Sequence, residues 1–137
     1  MTRRRRAREV VLQILYRDDI NPSHDQLNDE RFLRGRLGND DELVAFANSL
    51  LSGVRRNRGE LDPMITERAD NWSLERMAVT DRNVLRLGAF EILYADTPPR
   101  VAINEAVDLA KRFGSKQSAQ FVNGILDRIL QELEAEK

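Results

Sequence analysis

Five arginines open the chain: Arg3, Arg4, Arg5, Arg6 and Arg8, with no acidic residue among the first eight positions. A guanidinium group is planar and permanently charged, grips a phosphate or carboxylate through two parallel N–H bonds, and stacks on bases, so such clusters suit RNA. A frayed terminus could carry the same charges for solubility alone. Here the run continues into Ala7, Val10, Val11, Ile14 and Leu15, whose spacing marks one buried helical face, so the arginines are held on a folded element. They stand at the N-terminus of that helix, where the dipole disfavours cations by roughly 0.3–1 kcal/mol each. Asp18 and Asp19 stand at the other end, equally opposed to it. Stability alone would not select this arrangement; something other than folding is expected to explain it, and nucleic-acid binding is the class it points to.

Groups for covalent or metal chemistry are scarce. His24 is the sole histidine, in the turn that begins Asn21-Pro22-Ser23, and there is no cysteine. Neither a protein-only zinc cluster nor a nucleophilic triad can be assembled from that set. No glycine-rich phosphate loop, G-x-S-x-G elbow or Glu-x-x-His signature is present. Glu91, Glu105 and Asp108 could form an acid–base carboxylate pair, yet helical carboxylates serve far more often in ion pairs and caps. The expectation is a protein that is not an enzyme, with no catalytic residue and no metal site.

With 137 residues, 41% of them hydrophobic, 33% charged and only four prolines, the chain suits one helical domain with a packed interior. Its formal charge of −1 conceals an asymmetry: beyond the first eight residues, 17 basic side chains face 23 acidic ones. The basic character is local, as one contact surface would require. No apolar run approaches a membrane span and no export signal is visible, so a cytoplasmic protein is expected.

The elements follow from periodicity and caps. A first helix runs from Arg3 to about Ile20. Ser23 with Gln26 predicts the start of a second, carrying Leu27, Phe32, Leu33 and Leu37 and stopped near Gly38. Asn39 with Glu42 predicts a third, striped by Leu43, Phe46, Ala47, Leu50, Leu51 and Val54 and closed at Gly59, with Arg55, Arg56 and Arg58 solvated in its last turn. Asp62-Pro63 reads as the start of a short fourth helix to Arg68, and Ser73 as the cap of a turn after Trp72. Thr80 is the expected N-cap of the central helix, which is apolar nearly all round from Val84 to Tyr94 and so belongs in the middle of a bundle, exposed at its polar start. After the extended Pro98-Pro99 connector, a helix marked by Ile103, Ala106, Val107, Ala110 and Phe113 ends at Gly114. Ser115 or Ser118 caps the last, whose Gly124 is attributed to close helix–helix approach. Tyr16 falls at the polar rim of the first helix, and Asp81 where the dipole favours an acid. The fold class is all-α, a bundle of about seven helices.

Four stretches resemble the motif blocks of the NusB transcription antitermination family. They are Arg3 to Asp18 (RRRRAREVVLQILYRD), Asp81 to Tyr94 (DRNVLRLGAFEILY), Val101 to Lys111 (VAINEAVDLAK) and Phe121 to Asp127 (FVNGILD). They occur in the family's order and span the chain, while residues 21–75 agree in helical pattern alone. The resemblance implies two helical subdomains, about 1–70 and about 71–137, and no cofactor. It implies pairing with NusE, also a small-subunit ribosomal protein, and joint binding of single-stranded boxA RNA in nascent transcripts. That would recruit a complex with other Nus factors in which RNA polymerase resists termination on ribosomal RNA operons. Carried over by position, Arg3, Arg4, Arg5, Arg6 and Arg8 become an RNA contact, and Lys116, Gln117, Gln120 and Phe121 a second one. Tyr16 and Asp81 match positions facing NusE, although the family often has glutamate where Asp81 stands. Asn104 and Glu105 match as structure at a helix start. A homodimer that hides the arginine surface is compatible with this reading. Two alternatives stand beside it: a dimerising interaction module, and a NusB-like domain of an RNA methyltransferase, against which the chain's end at Lys137 counts.

Overall fold

The computed structural model describes residues 2–23, 26–70 and 72–136; His24 and the role of its turn lie outside them. Within these residues the backbone forms six α-helices and two single turns of 3-10 helix, with no strand. Helix α1 (Arg3–Ile20) is capped by Thr2, whose hydroxyl oxygen accepts the Arg5 backbone N–H at 3.1 Å, and its expected apolar face is buried. The second helix starts later than its capping-box signal. Gln26–Asn28 makes a lone 3-10 turn, and α2 spans Asp29–Leu37. Ser23 donates to the Asn21 side chain at 2.8 Å, and Leu27, expected in the core, is 93% exposed. A single turn repeats no face, so it does not carry Leu27 into the core. Gly38, at φ +77°, ends α2 in a conformation that favours glycine.

The expected third and fourth helices are one. Helix α3 runs Asp41–Glu67, capped by Asp40 rather than Asn39, and passes through both Gly59 and Pro63. Proline inside a helix costs about 3 kcal/mol. Leu61 and Ile65 continue the stripe of Leu50 and Val54 in phase and are fully buried, each contributing roughly 1.5–3 kcal/mol, so continuity wins. Asp62 is then free of capping and binds Arg86 instead. This fusion is why six helices stand where about seven are predicted.

Helix α4 (Val79–Tyr94) follows a 3-10 turn at Leu74–Arg76, α5 spans Pro99–Phe113 and α6 spans Ser118–Ala135. Ala78 holds the N-cap position of α4, so Thr80 lies inside the helix; Pro99 is already the first residue of α5. Ser118 does not cap α6 but accepts the Ser115 N–H at 2.8 Å, tightening the turn from α5. As expected, α4 is central: it packs on α1, α3, α5 and α6, and every residue from Asn83 to Ile92 is buried. Glycines make this closeness possible. A Cβ on Gly53 would lie 2.1 Å from the Phe90 ring, and one on Gly88 would lie 2.6 Å from Leu126. Gly124 is different. It is exposed, and a Cβ there would meet nothing within 4 Å, so close helix approach is not its reason.

The polar start of α4 is not left in solvent: Asp81 and Arg82 are half-buried, and Asn83 and Arg86 are buried. Asp19 of α1 accepts from Arg82 Nε (2.9 Å), Asn83 Nδ2 (2.8 Å) and Arg86 Nη1 (2.9 Å), while Arg86 also grips Asp62 at 2.8 and 3.0 Å. Asp18 accepts from Arg55 Nε and Nη2, each at 2.9 Å, and Arg55 Nη1 donates to Asp29 at 2.7 Å. The acids that oppose the α1 dipole are therefore explained by folding after all. Arg55 and Arg58, expected in solvent, belong to the same network, Arg58 through Asp19 at 3.4 Å. Only Arg56 of that trio is exposed without an ion-pair partner among the described residues.

Candidate functional site

The first turns of α1 divide their arginines. Arg8 is 4% exposed: its Nε and Nη2 donate to Glu91 at 2.7 and 2.9 Å, and Thr97 donates to the same carboxylate at 2.8 Å. Position 8 shares the face of Val11, Leu12 and Leu15, which turns the side chain inward. An arginine so enclosed cannot reach a phosphate, and its expected place in the RNA contact is corrected to a structural one. Arg5 is intermediate. Its Nε donates to Glu105 at 2.9 Å and its Nη2 to Asp108 at 2.9 Å. The hydrogen bond and charge of Glu105, with the charge of Asp108 behind them, outweigh desolvation and raise the Arg5 pKa. Arg3, Arg4 and Arg6 face solvent, Arg3 beside Asp40, Arg6 3.7 Å from Glu9, and Arg4 over the Phe46 ring at 4.3 Å. The carboxylates weighed for acid–base work are all held by arginines: Glu91 by Arg8, Glu105 and Asp108 by Arg5.

Helix α5 bridges this turn to the start of α6. A cleft of about 170 Å³ joins Arg5 and Glu9 of α1 to Glu105, Asp108 and Arg112 of α5, with Arg112 paired to Glu9. Beyond it, Lys116, Gln117 and Gln120 are exposed and Phe121 is half-buried. Tyr16, 41% exposed, lines a recess of about 490 Å³ with Glu9, Ile20, Phe32, Thr80 and Phe113. One residue along α4, Asp81 lines a second recess, of about 290 Å³, with Trp72, Met77, Gln117, Ser118 and Phe121. The expected RNA contacts and protein contacts thus adjoin. Glu9 borders both the charged cleft and the Tyr16 recess, and Asp81 shares its recess with Gln117 and Phe121. The Oδ1 atom of Asp81 is buried and accepts no hydrogen bond, the one such side-chain atom among the described residues. Unsatisfied buried acceptors are rare in native proteins and call for a partner group.

Three apolar residues of this region escape sequence reasoning. Trp72, Ile20 and Phe113 are 52%, 59% and 42% exposed beside the two recesses. Phe113 reads as part of the apolar face of its helix, and Ile20 only as the end of the first helix, because both lie about one turn beyond residues that are buried. Trp72 alone carried a usable signal, since it falls outside every apolar period. Among the described residues no helix is long and apolar enough to cross a membrane.

Comparison with known proteins places these features in context. A family model described as the NusB family matches residues 5–131. The transcription antitermination protein NusB of Thermodesulfovibrio yellowstonii is 40% identical over 95% of this chain and 93% of its own. That of Geobacter sp. strain M21 is 44% identical, covering 94% of each. Among solved structures, T. maritima NusB superposes with a TM-score of 0.84 at 38% identity, over 94% of this chain and 91% of that one. The antitermination factors NusB and NusE, solved in a complex with double-stranded RNA, include a chain with a TM-score of 0.85 at 26% identity, covering 96% of this chain and 98% of that one.

Proposed function

The chain belongs to the NusB family, and on that premise we propose that it is a transcription antitermination factor. It binds boxA-type RNA of nascent transcripts together with NusE and promotes processive transcription of ribosomal RNA operons. It works in the cytoplasm, beside an elongation complex with other Nus factors, and by binding alone, without catalysing a reaction. The two subdomains of this reading are about 1–70 and about 71–137, with α4 touching helices of both.

The observation that carries the reading is the Asp81 recess. An unpartnered carboxylate oxygen, proposed to accept a donor from NusE, lies in one depression with Gln117 and Phe121, proposed to face RNA. A surface of that kind is completed by two ligands at once, and each then strengthens binding of the other. Arg3, Arg4 and Arg6 supply attraction to phosphates that is sensitive to salt and indifferent to sequence. Lys116, Gln117, Gln120 and Phe121, with groups of NusE, supply the base contacts by which an unpaired strand is read. Tyr16 and the apolar recess around it extend the protein contact.

The test is a filter-binding titration of boxA RNA with and without NusE. Added NusE is expected to tighten binding, and single-stranded boxA to bind better than the same sequence paired in a duplex. Replacing Arg3, Arg4 and Arg6 with alanine is expected to weaken binding and flatten its salt dependence while leaving the melting curve unchanged. Asp81→Lys is expected to lose NusE in co-purification and keep the fold. RNA affinity untouched by the triple alanine variant, or NusE retained by Asp81→Lys, would count against the assignment.

A further inference from the structure

On the other side of Arg4, away from the charged cleft, a groove of about 610 Å³ runs along α3 toward the end of α4. Phe46 and Phe90 lie in its wall, and Tyr94, 48% exposed, stands at its rim with its hydroxyl donating to Glu60 at 2.7 Å. Two guanidinium groups border it, Arg4 and Arg56. Both are exposed, and neither pairs with a carboxylate among the described residues, in a protein that commits most of its other arginines to acids. Asp96 is the single acidic residue lining the groove, and Asn48, Ser49 and Ser52 supply neutral polar groups. Phosphates answer unpaired guanidiniums, bases stack on aromatic rings and on guanidinium planes, and a mixed polar and aromatic channel of this kind tolerates any base order.

We propose that this groove holds the unpaired RNA that flanks the recognised motif, so that the strand continues from the α1 arginines past Arg4 and along α3 to Arg56. Arg4 fixes the continuity, since it belongs to both surfaces. Its place over Phe46 holds its charge at the mouth of the groove. Phe46 and Arg56 are ten positions apart on one helix, about 15 Å, which is room for a short run of extended nucleotides. The inference rests on the RNA-binding reading above and adds a length dependence to it: nucleotides outside the motif contribute affinity through this groove, with little preference among bases.

The experiment compares a boxA oligonucleotide with the same oligonucleotide extended on one side or the other by an unpaired tail of mixed sequence, using the full chain with NusE. One of the two tails is expected to tighten binding roughly five- to tenfold, as one added phosphate contact and one stacked base would. Arg56→Glu is expected to abolish that gain and leave the affinity for the unextended oligonucleotide unchanged. Arg56 is exposed in mid-helix, so the variant folds, and its melting curve checks this. Tails carrying 4-thiouridine are expected to cross-link to Phe46 or Tyr94. Absence of a tail effect with the unextended RNA still bound, a gain that survives Arg56→Glu, or cross-links confined to other faces would overturn the groove assignment and spare the function. Failure to bind the unextended RNA would overturn both. Loss of a protein contact in Arg56→Glu with the tail effect intact would mark the groove as a protein site instead.

Discussion

Asp19 collects hydrogen bonds from Arg82, Asn83 and Arg86, and its carboxylate is the strut between the end of α1 and the start of α4. Burial pushes its pKa up, but the bonds from Arg82 and Asn83 and the charges of Arg86 and Arg82 outweigh burial and hold it below the ordinary value. A carboxyl whose folded pKa is depressed adds stability above its unfolded pKa of about 3.9, and that stability is lost as pH falls through the folded value. Asp19→Asn should therefore cost about 3–5 kcal/mol in urea unfolding at neutral pH, because it removes the carboxylate that Arg82 and Arg86 share, and much less once pH has fallen through the depressed folded value. A cost that stays constant with pH would show that packing, not charge, is lost. The arginines of α1 make a second residue-scale contrast. Arg5 is held by Glu105 and Asp108, whereas Arg6 is held by one contact at the edge of ion-pair range. Arg6→Ala should weaken RNA binding more than Arg5→Ala, and melting curves should show the reverse order in stability.

At the scale of elements, two glycines in helices have opposite meanings. Gly88 lets α4 sit against α5 and α6, and a methyl group there would press on Leu126 and Ala106. Gly88→Ala should destabilise the protein by about 1–3 kcal/mol, as overpacking does. Gly124 has open space on its side of α6, so Gly124→Ala should raise stability by up to about 1 kcal/mol through helix propensity alone. Thermal melts of the two variants should move in opposite directions, and movement in the same direction would contradict the packing described. Helix α3 shows how an element's extent is decided. Gly59 and Asp62-Pro63 are real stop and start signals, but they act locally, over a turn or so. The stripe from Leu43 to Ile65 packs on α1, α2 and α4, and the burial it secures exceeds what the proline costs.

At the scale of the molecule, charge is sorted by depth. Five arginines crowd the first eight positions, yet Arg8 is buried and Arg5 is largely neutralised by α5. If Arg3, Arg4 and Arg6 are the phosphate contacts, the logarithm of RNA affinity should fall against that of salt with a slope of about −2; were Arg5 and Arg8 also engaged, about −3.5. A titration across salt concentrations separates the two. The same sorting explains how a chain of net charge −1 can bind a polyanion: the excess of acids lies outside the arginine surface, much of it locked in ion pairs that stabilise the bundle.

What the sequence by itself determined was whatever depends on repeat and on residue type. The apolar period of α1, the all-round apolar body of α4, the stop at Gly38 and the scarcity of groups for covalent or metal chemistry could all be read from residue types and from neighbours a few positions apart. So could the family blocks that carry the proposed contacts. Tertiary structure decided what depends on a partner far along the chain. Arg8 and Arg6 are the same residue type two positions apart, and only the approach of Glu91, 83 residues away, makes one a buried strut and leaves the other in solvent. Asp18 and Asp19, set against their own helix dipole, find their reason in Arg55, Arg82 and Arg86. The recess where Asp81 meets Phe121 exists only because α4 and α6 come together there. Period determines which face of a helix turns inward; which charges that face then meets is set by packing.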